Sequence, residues 1–204
     1  MGQYYKPTAL DKNADVTAND WQPIKWQLLC YDFDNGAKLM EHSYVRNTLV
    51  QAVEYLLAKD KDGTPFVWAG DYAEDYPGFT TNLFDVGGKQ ESCRTGLAEL
   101  FKDGVLTEIN GLGGKPCYRI KRPKTYKYVI NHTKKMYVEI PPHRKGELTV
   151  HPLPLLTCES NGRGGGDYYS DKGKDYVGAW KYDTISVGNR VPKGYEKLDV
   201  LFQE

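Results

Sequence analysis

The sequence predicts a single α+β domain with a mostly antiparallel sheet and two main helices in its first half. Three observations carry this: an amphipathic helical period after residue 43, a shorter one near residue 97, and two-residue alternation around polar turns in the second half. With 204 residues, 40% of them hydrophobic, the chain is long enough to bury one real core.

Taken in order, Gln27–Phe33 reads as a strand closed by the turn Asp34-Asn35-Gly36. Val45, Leu49, Ala52, Val53, Leu56 and Leu57 recur at i, i+4, i+7, i+8, i+11 and i+12, an amphipathic helix with Ser43 as its N-cap and Asp62-Gly63 beyond its end. Pro65–Gly70 is an apolar run of strand length that delivers Asp71, Tyr72, Glu74, Asp75 and Tyr76 at its end. Leu97, Leu100 and Phe101 mark a second helix over Cys93–Lys102, stopped by Asp103-Gly104. Tyr126–Ile130 and Met136–Ile140 alternate on either side of Asn131-His132-Thr133-Lys134, which predicts a β-hairpin. Leu148–His151 reads as a strand ended by Pro152 and Pro154, and a last strand or pair covers Val177–Val187. The domain is expected to span 1–197. The tail 198–204 resembles a picornaviral protease recognition sequence, departs from it at Asp199, and is set aside as native or added.

The formal charge is zero, from 27 basic and 27 acidic residues, yet it is unevenly distributed. Between Lys115 and Lys145 ten basic residues face Glu139 alone, a net of +9 that the rest of the chain balances with −9. Such division suggests an anionic partner or two complementary faces. No run reaches the roughly 18 apolar residues that a membrane span needs, and the N-terminus lacks a secretion signal, so a cytoplasmic protein is expected. Myristoylation of Gly2 is discounted because Lys6 stands where the motif requires Ser or Thr. Cys30, Cys93, Cys117 and Cys158 are widely spaced and read as reduced, mostly buried thiols; no metal or cofactor is expected.

Two segments attract a ligand reading. In Asn161-Gly162-Arg163-Gly164-Gly165-Gly166-Asp167-Tyr168, glycines let backbone N–H groups approach an anion while Arg163 offers a planar fork of donors. It is neither a Walker loop nor a dinucleotide fingerprint, and the plain alternative is a flexible surface loop. Trp68-Ala69-Gly70-Asp71-Tyr72 places stacking surfaces beside a carboxylate that suits a base edge, a ribose hydroxyl or a metal; the plain alternative is an acidic turn after a buried strand. His42 and His151 are the histidines best placed near a cleft, each with a structural role as the alternative. Asn110–Pro116 is glycine-rich, but Pro116 replaces the magnesium-binding Ser or Thr, leaving a turn between strands. No hydrolase motif is present, and no catalytic residue is assigned.

The opening Met1-Gly2-Gln3-Tyr4-Tyr5-Lys6-Pro7, then Lys38–Ser43, Trp68–Ala73 and His151–Thr157 with the Asn-Gly-Arg-Gly-Gly-Gly-Asp loop, resemble a family of bacteriophage and bacterial proteins of uncharacterised activity. The resemblance covers nearly the whole chain. A small phage-type protein without enzyme motifs is similar in kind to viral sponges that sequester host nucleotide immune signals. The expectation is therefore an anti-defence, nucleotide-binding protein that holds its ligand without cleaving it. Arg163 and the loop amides of Gly162, Gly164 and Gly165 would hold phosphate; Trp68 and Tyr72 would stack; Asp71 and His151 would fix polar edges, with Asn161, Asp167 and Tyr168 completing the site. The alternatives are a phosphodiesterase or nucleosidase, and a module that contacts a host protein or nucleic acid through the basic hairpin. Direct nucleic-acid binding is disfavoured, and homo-oligomerisation is left open.

Overall fold

The computed structural model describes residues 2–12, 24–77, 81–86 and 95–203. Strands β1 (Tyr5–Leu10) and β2 (Ile24–Gln27) are followed by α1 (Leu39–His42), α2 (Thr48–Leu57), β3 (Thr64–Gly70), α3 (Leu83–Val86) and α4 (Thr95–Lys102). Then come β4 (Leu106–Asn110), β5 (Pro116–Ile120), β6 (Tyr128–Asn131), β7 (Met136–Glu139), α5 (Pro152–Thr157), β8 (Thr184–Gly188) and β9 (Glu196–Lys197). Seven strands form one sheet in the order β2-β1-β3-β8-β6-β7-β9, and β4 with β5 makes a separate hairpin. Every strand pairing is antiparallel except β7 with β9, so the α+β class and the mostly antiparallel sheet are as the sequence predicts.

Strand β3 explains why its sequence is almost continuously apolar. Phe66 and Trp68 enter one buried cluster with Leu49, Val53, Leu57 and Leu153, while Val67 and Ala69 enter a second with Leu10, Ile24, Leu83 and Val86. Alternate side chains point to opposite faces of a strand, so both faces of β3 are covered. On the first face lies α2, whose Leu49, Val50, Ala52, Val53, Leu56 and Leu57 are all buried. Its N-cap is Asn47 rather than Ser43: the Asn47 carboxamide accepts from the N–H groups of Leu49 at 2.9 Å and Val50 at 3.4 Å. The Ser43 hydroxyl donates instead to the Leu39 carbonyl, which belongs to α1. Helix α4 matches the second predicted helix from Thr95 onward; Cys93 lies outside the described residues.

Three predicted strands are corrected. Only Ile24–Gln27 is extended; beyond it Cys30–Phe33 forms a 3-10 turn that buries Cys30 and Phe33, a spacing of three that alternation alone cannot produce. Around 148–151 only Val150 bridges Tyr44, because Pro152 opens α5: a proline at the first helical position loses no hydrogen bond, and its ring presets the helical φ. Residues 177–183 are turns, and the last long strand is confined to Thr184–Gly188.

The final residues belong to the packed body. The Leu198 N–H donates to the Tyr137 carbonyl at 2.7 Å, and the Phe202 ring, 5% exposed, meets Tyr168 edge-on at 5.6 Å between centroids. The Gln203 N–H donates to the Tyr168 hydroxyl at 3.0 Å. Deleting a buried phenyl ring leaves a cavity, so Phe202→Ala is predicted to destabilise the fold by about 3 kcal/mol. Urea denaturation measures this; an unchanged midpoint would mean that the tail contributes nothing to the core.

Candidate functional site

The glycine loop closes on itself. The Asn161 carboxamide accepts from the Tyr168 N–H at 2.8 Å and donates to the Tyr168 carbonyl at 3.0 Å, which pins the two ends together. Inside that clamp one oxygen of Asp167 accepts from the N–H groups of Gly162 at 2.8 Å, Arg163 at 3.0 Å and Gly164 at 3.1 Å. Its other oxygen accepts from the Tyr5 hydroxyl at 2.9 Å. Three convergent amides do form an anion nest, as the glycines suggest, but the anion is the chain's own carboxylate, 4% exposed. Gly164 is required by close approach, since a Cβ there would lie 2.4 Å from the Gln3 nitrogen. The expected phosphate cradle is thus corrected to an internal knot, and Asn161, Gly162, Gly164 and Asp167 are spent on closing it. Gly165 is exposed on its outer side, and Tyr168 is buried beneath Phe202.

Arg163 and the Trp68–Tyr72 segment do come together at one edge. The Arg163 guanidinium donates to the Tyr72 carbonyl at 3.0 Å, and Asp71 accepts from the Tyr4 N–H at 2.9 Å. Burial holds the Asp71 carboxyl above the ordinary carboxylate value despite that hydrogen bond. Trp68, by contrast, is 0% exposed, so its ring offers no face to a ligand. Its indole N–H donates to Nε2 of His42 at 2.8 Å, and Nδ1 of His42 lies 3.0 Å from the Gly36 carbonyl, which fixes the proton on Nδ1. The expected stacking on Trp68 is replaced by a buried relay, Trp68 to His42 to Gly36. Beside Arg163 lies a shallow cavity of about 580 Å³ lined with Asn161, Tyr169, Lys174 and Lys181.

His151 belongs elsewhere. It is 1% exposed and caps α5: Nδ1 accepts from the Leu153 N–H at 3.1 Å, leaving Nε2–H to donate to Glu54 at 3.1 Å. This buried pair lines the floor of a cleft of about 660 Å³ that Trp68, Asp71, Tyr72 and Arg163 do not reach. Its walls are the two arms of the β6–β7 hairpin beyond the ladder. The Ile140 N–H still donates to the Lys127 carbonyl at 2.8 Å; after it Pro141 and Pro142 have no N–H to give, so pairing stops and residues 123–128 and 139–143 line the space over α2.

The cleft combines several chemistries. Arg46, Lys124 and Lys127 are exposed at it, and among the described residues none of the three has a carboxylate partner within ion-pair distance. Arg46 has φ of +70°, an αL conformation that costs a non-glycine residue about 1 kcal/mol. Strain of this kind concentrates at sites of function. Tyr126 is pushed up to about 12 by burial and by the Glu54 carboxylate, so its hydroxyl stays protonated. Arg46, Glu54 and Tyr126 escaped assignment from the sequence, and Lys127 was assigned only to the basic hairpin of the docking alternative. The available signals were a carboxylate among the buried positions of a strongly apolar helix, and the basic run itself. Among the described residues no group of three or more His, Cys, Asp or Glu could hold a metal ion, and no helix is long and apolar enough to cross a membrane.

Comparison with family models, curated proteins and solved structures returned no match, so the site's chemistry is read from its own geometry.

Burial pushes His42 down to about 4 from an ordinary value of 6.5. Between these values the unfolded chain binds more protons than the folded one. The contribution of neutral His42 is therefore complete above about pH 6.5 and lost as the pH falls to about 4, by about 3 kcal/mol. Urea unfolding at about pH 7 and about pH 4.5 should show a steeper loss in the parent than in His42→Gln. Equal losses in the two proteins would remove His42 as the titrating group.

Proposed function

We propose that the protein binds a nucleotide-like anion in the cleft between α2 and the hairpin arms and releases it unchanged. The observation that carries this reading is the conjunction, in one cavity, of three cations without carboxylate partners among the described residues, the aromatic side chains of Tyr126 and Tyr128, and a buried polar floor. Cations suit phosphate, ring faces suit a base, and a volume of about 660 Å³ falls in the range of small-molecule sites. Sequestration of a nucleotide immune signal in a host cytoplasm, as a phage anti-defence protein, is the biological role that this chemistry would serve. The loop at Arg163 contributes an outer surface rather than the phosphate site, since its amides already hold Asp167.

At the floor of the cleft binding is favoured over hydrolysis because His151 is fully engaged. One ring nitrogen accepts from Leu153 and the other donates to Glu54, which leaves neither a free lone pair nor a free proton for a substrate. A docking role for the hairpin lysines is less well supported, since Lys134 is tied to Asp183.

The test is incubation with a panel of linear and cyclic nucleotides and ADP-ribose derivatives, with chromatography before and after heat denaturation. The expected result is depletion of a ligand that returns unchanged. The double variant Arg46→Ala, Lys127→Ala should weaken binding at least about tenfold while Arg163→Ala spares it. Recovery of converted products would favour a hydrolase, and no depletion of any candidate would overturn the proposal.

A further inference from the structure

The positive charge at the cleft does not end where the cavity ends. Lys121 and Arg122 directly precede the lining residues Pro123 and Lys124, and Arg144 and Lys145 directly follow His143 on the opposite arm; all four are exposed. The carboxylates that would neutralise them are already taken. Between Lys121 and Val150 the sequence carries two, Glu139 and Glu147. Glu139 meets Lys197 at 3.3 Å and Glu147 meets Arg144 at 3.8 Å, while Glu54 on the floor meets His151 at 3.1 Å. Among the described residues this leaves Arg46, Lys124 and Lys127 inside the cavity, and Lys121, Arg122 and Lys145 outside it, without an ion-pair partner. Like charges gathered on one side of a molecule repel one another, and a polyanion laid across them relieves that repulsion and releases its own counterions.

From this we infer that the ligand is a short single-stranded oligonucleotide, with one end of the strand in the cleft and its remaining phosphates on the basic arms. The inference rests on the cleft being a nucleotide site. A cavity of about 660 Å³ suits one small ligand, and three of the six unpaired cations line no part of it. A ligand that meets them all must continue out of the cavity along the arms. A single strand has that form: it repeats a phosphate at every residue, and each base offers a face to Tyr126 or Tyr128, a contact that every base can make. A duplex turns its bases inward onto each other and would leave the tyrosines unused. The arms are also held in place to receive a strand. The Lys121 N–H donates to the Val105 carbonyl at 2.8 Å, and the Ile140 N–H to the Lys127 carbonyl at 2.8 Å, so the basic segment 121–127 is anchored at both ends.

Calorimetric titration of the full chain with AMP and UMP, and with the linear 5′-phosphorylated oligomers of two and four nucleotides built from each, tests this. Affinity is expected to rise with length, the tetranucleotide binding tighter than its mononucleotide by at least about tenfold in one series or both. The salt dependence should steepen in step, the slope of log affinity against log salt growing by about 0.7 for each added phosphate contact. In the triple variant Lys121→Ala, Arg122→Ala, Lys145→Ala the gain from length should shrink to about threefold or less. All three side chains stand outside both apolar clusters, so the variant keeps its core. A tetranucleotide that binds no tighter than its mononucleotide, or a gain from length that survives in the triple variant, overturns the extended strand and leaves the nucleotide cleft standing. If neither series binds while another nucleotide of the panel is retained, the extended strand again fails alone. If no nucleotide and no oligomer binds, both proposals fail together.

Discussion

Much of the architecture hangs on a carboxylate that is out of water. Asp167 would be costly to bury alone, and it is tolerated because its two oxygens accept from three backbone amides and the Tyr5 hydroxyl. Gln3, with its amide oriented as its neighbours require, adds a fifth donor at 3.2 Å. These partners come from the first strand and from a loop some 160 positions away in the chain. Around them the Met40 N–H donates to the Gly166 carbonyl, and Tyr168 carries the last residues of the fold. A single buried charge thus ties together the first strand, the first helix and the closing segment. That is why so many glycines are needed: only backbone can crowd so densely around one group.

The cleft arises from a different constraint, the exhaustion of a ladder. Strands β6 and β7 are held in register from Tyr128–Glu139 to Asn131–Met136, and β6 is also paired to β8. That rigid base delivers two arms to a place where consecutive prolines cannot continue the pairing. Helix α2 supplies the floor because a helix that buries six apolar side chains on one face still turns Gln51 and Glu54 toward the hairpin. His151 joins it from α5, where the same imidazole that caps a helix also orients a carboxylate.

Much of this is legible in the sequence, and the failures have physical causes. The period of α2, the apolar run of β3 and the hairpin at residues 126–140 are strong local signals, and each element stands where its pattern puts it. Pro152 and Pro154 mislead because proline ends a strand and begins a helix with the same fixed φ, and only the packing of the leucines after it distinguishes the two. Trp68 resembles a ligand platform because aromatic residues serve cores and sites equally well; the buried His42 that satisfies its N–H lies 26 residues away. The glycine loop is an anion nest in sequence and in structure alike. That Asp167, three to five residues on, would fill it depends on a loop closure that composition does not encode. The same holds for the cleft: the basic run is visible, but its meeting with Glu54 and Arg46 depends on how the hairpin is laid over α2.

Arg46, Lys124, Lys127 and His143 are exposed and stand outside both apolar clusters. The identities of Lys124, Lys127 and His143 are therefore nearly free of the demands of folding, whereas the floor beneath them is fixed by helix capping and core packing. A protein built this way can change the rim of its cleft quickly, one substitution at a time, without risking the loss of its structure.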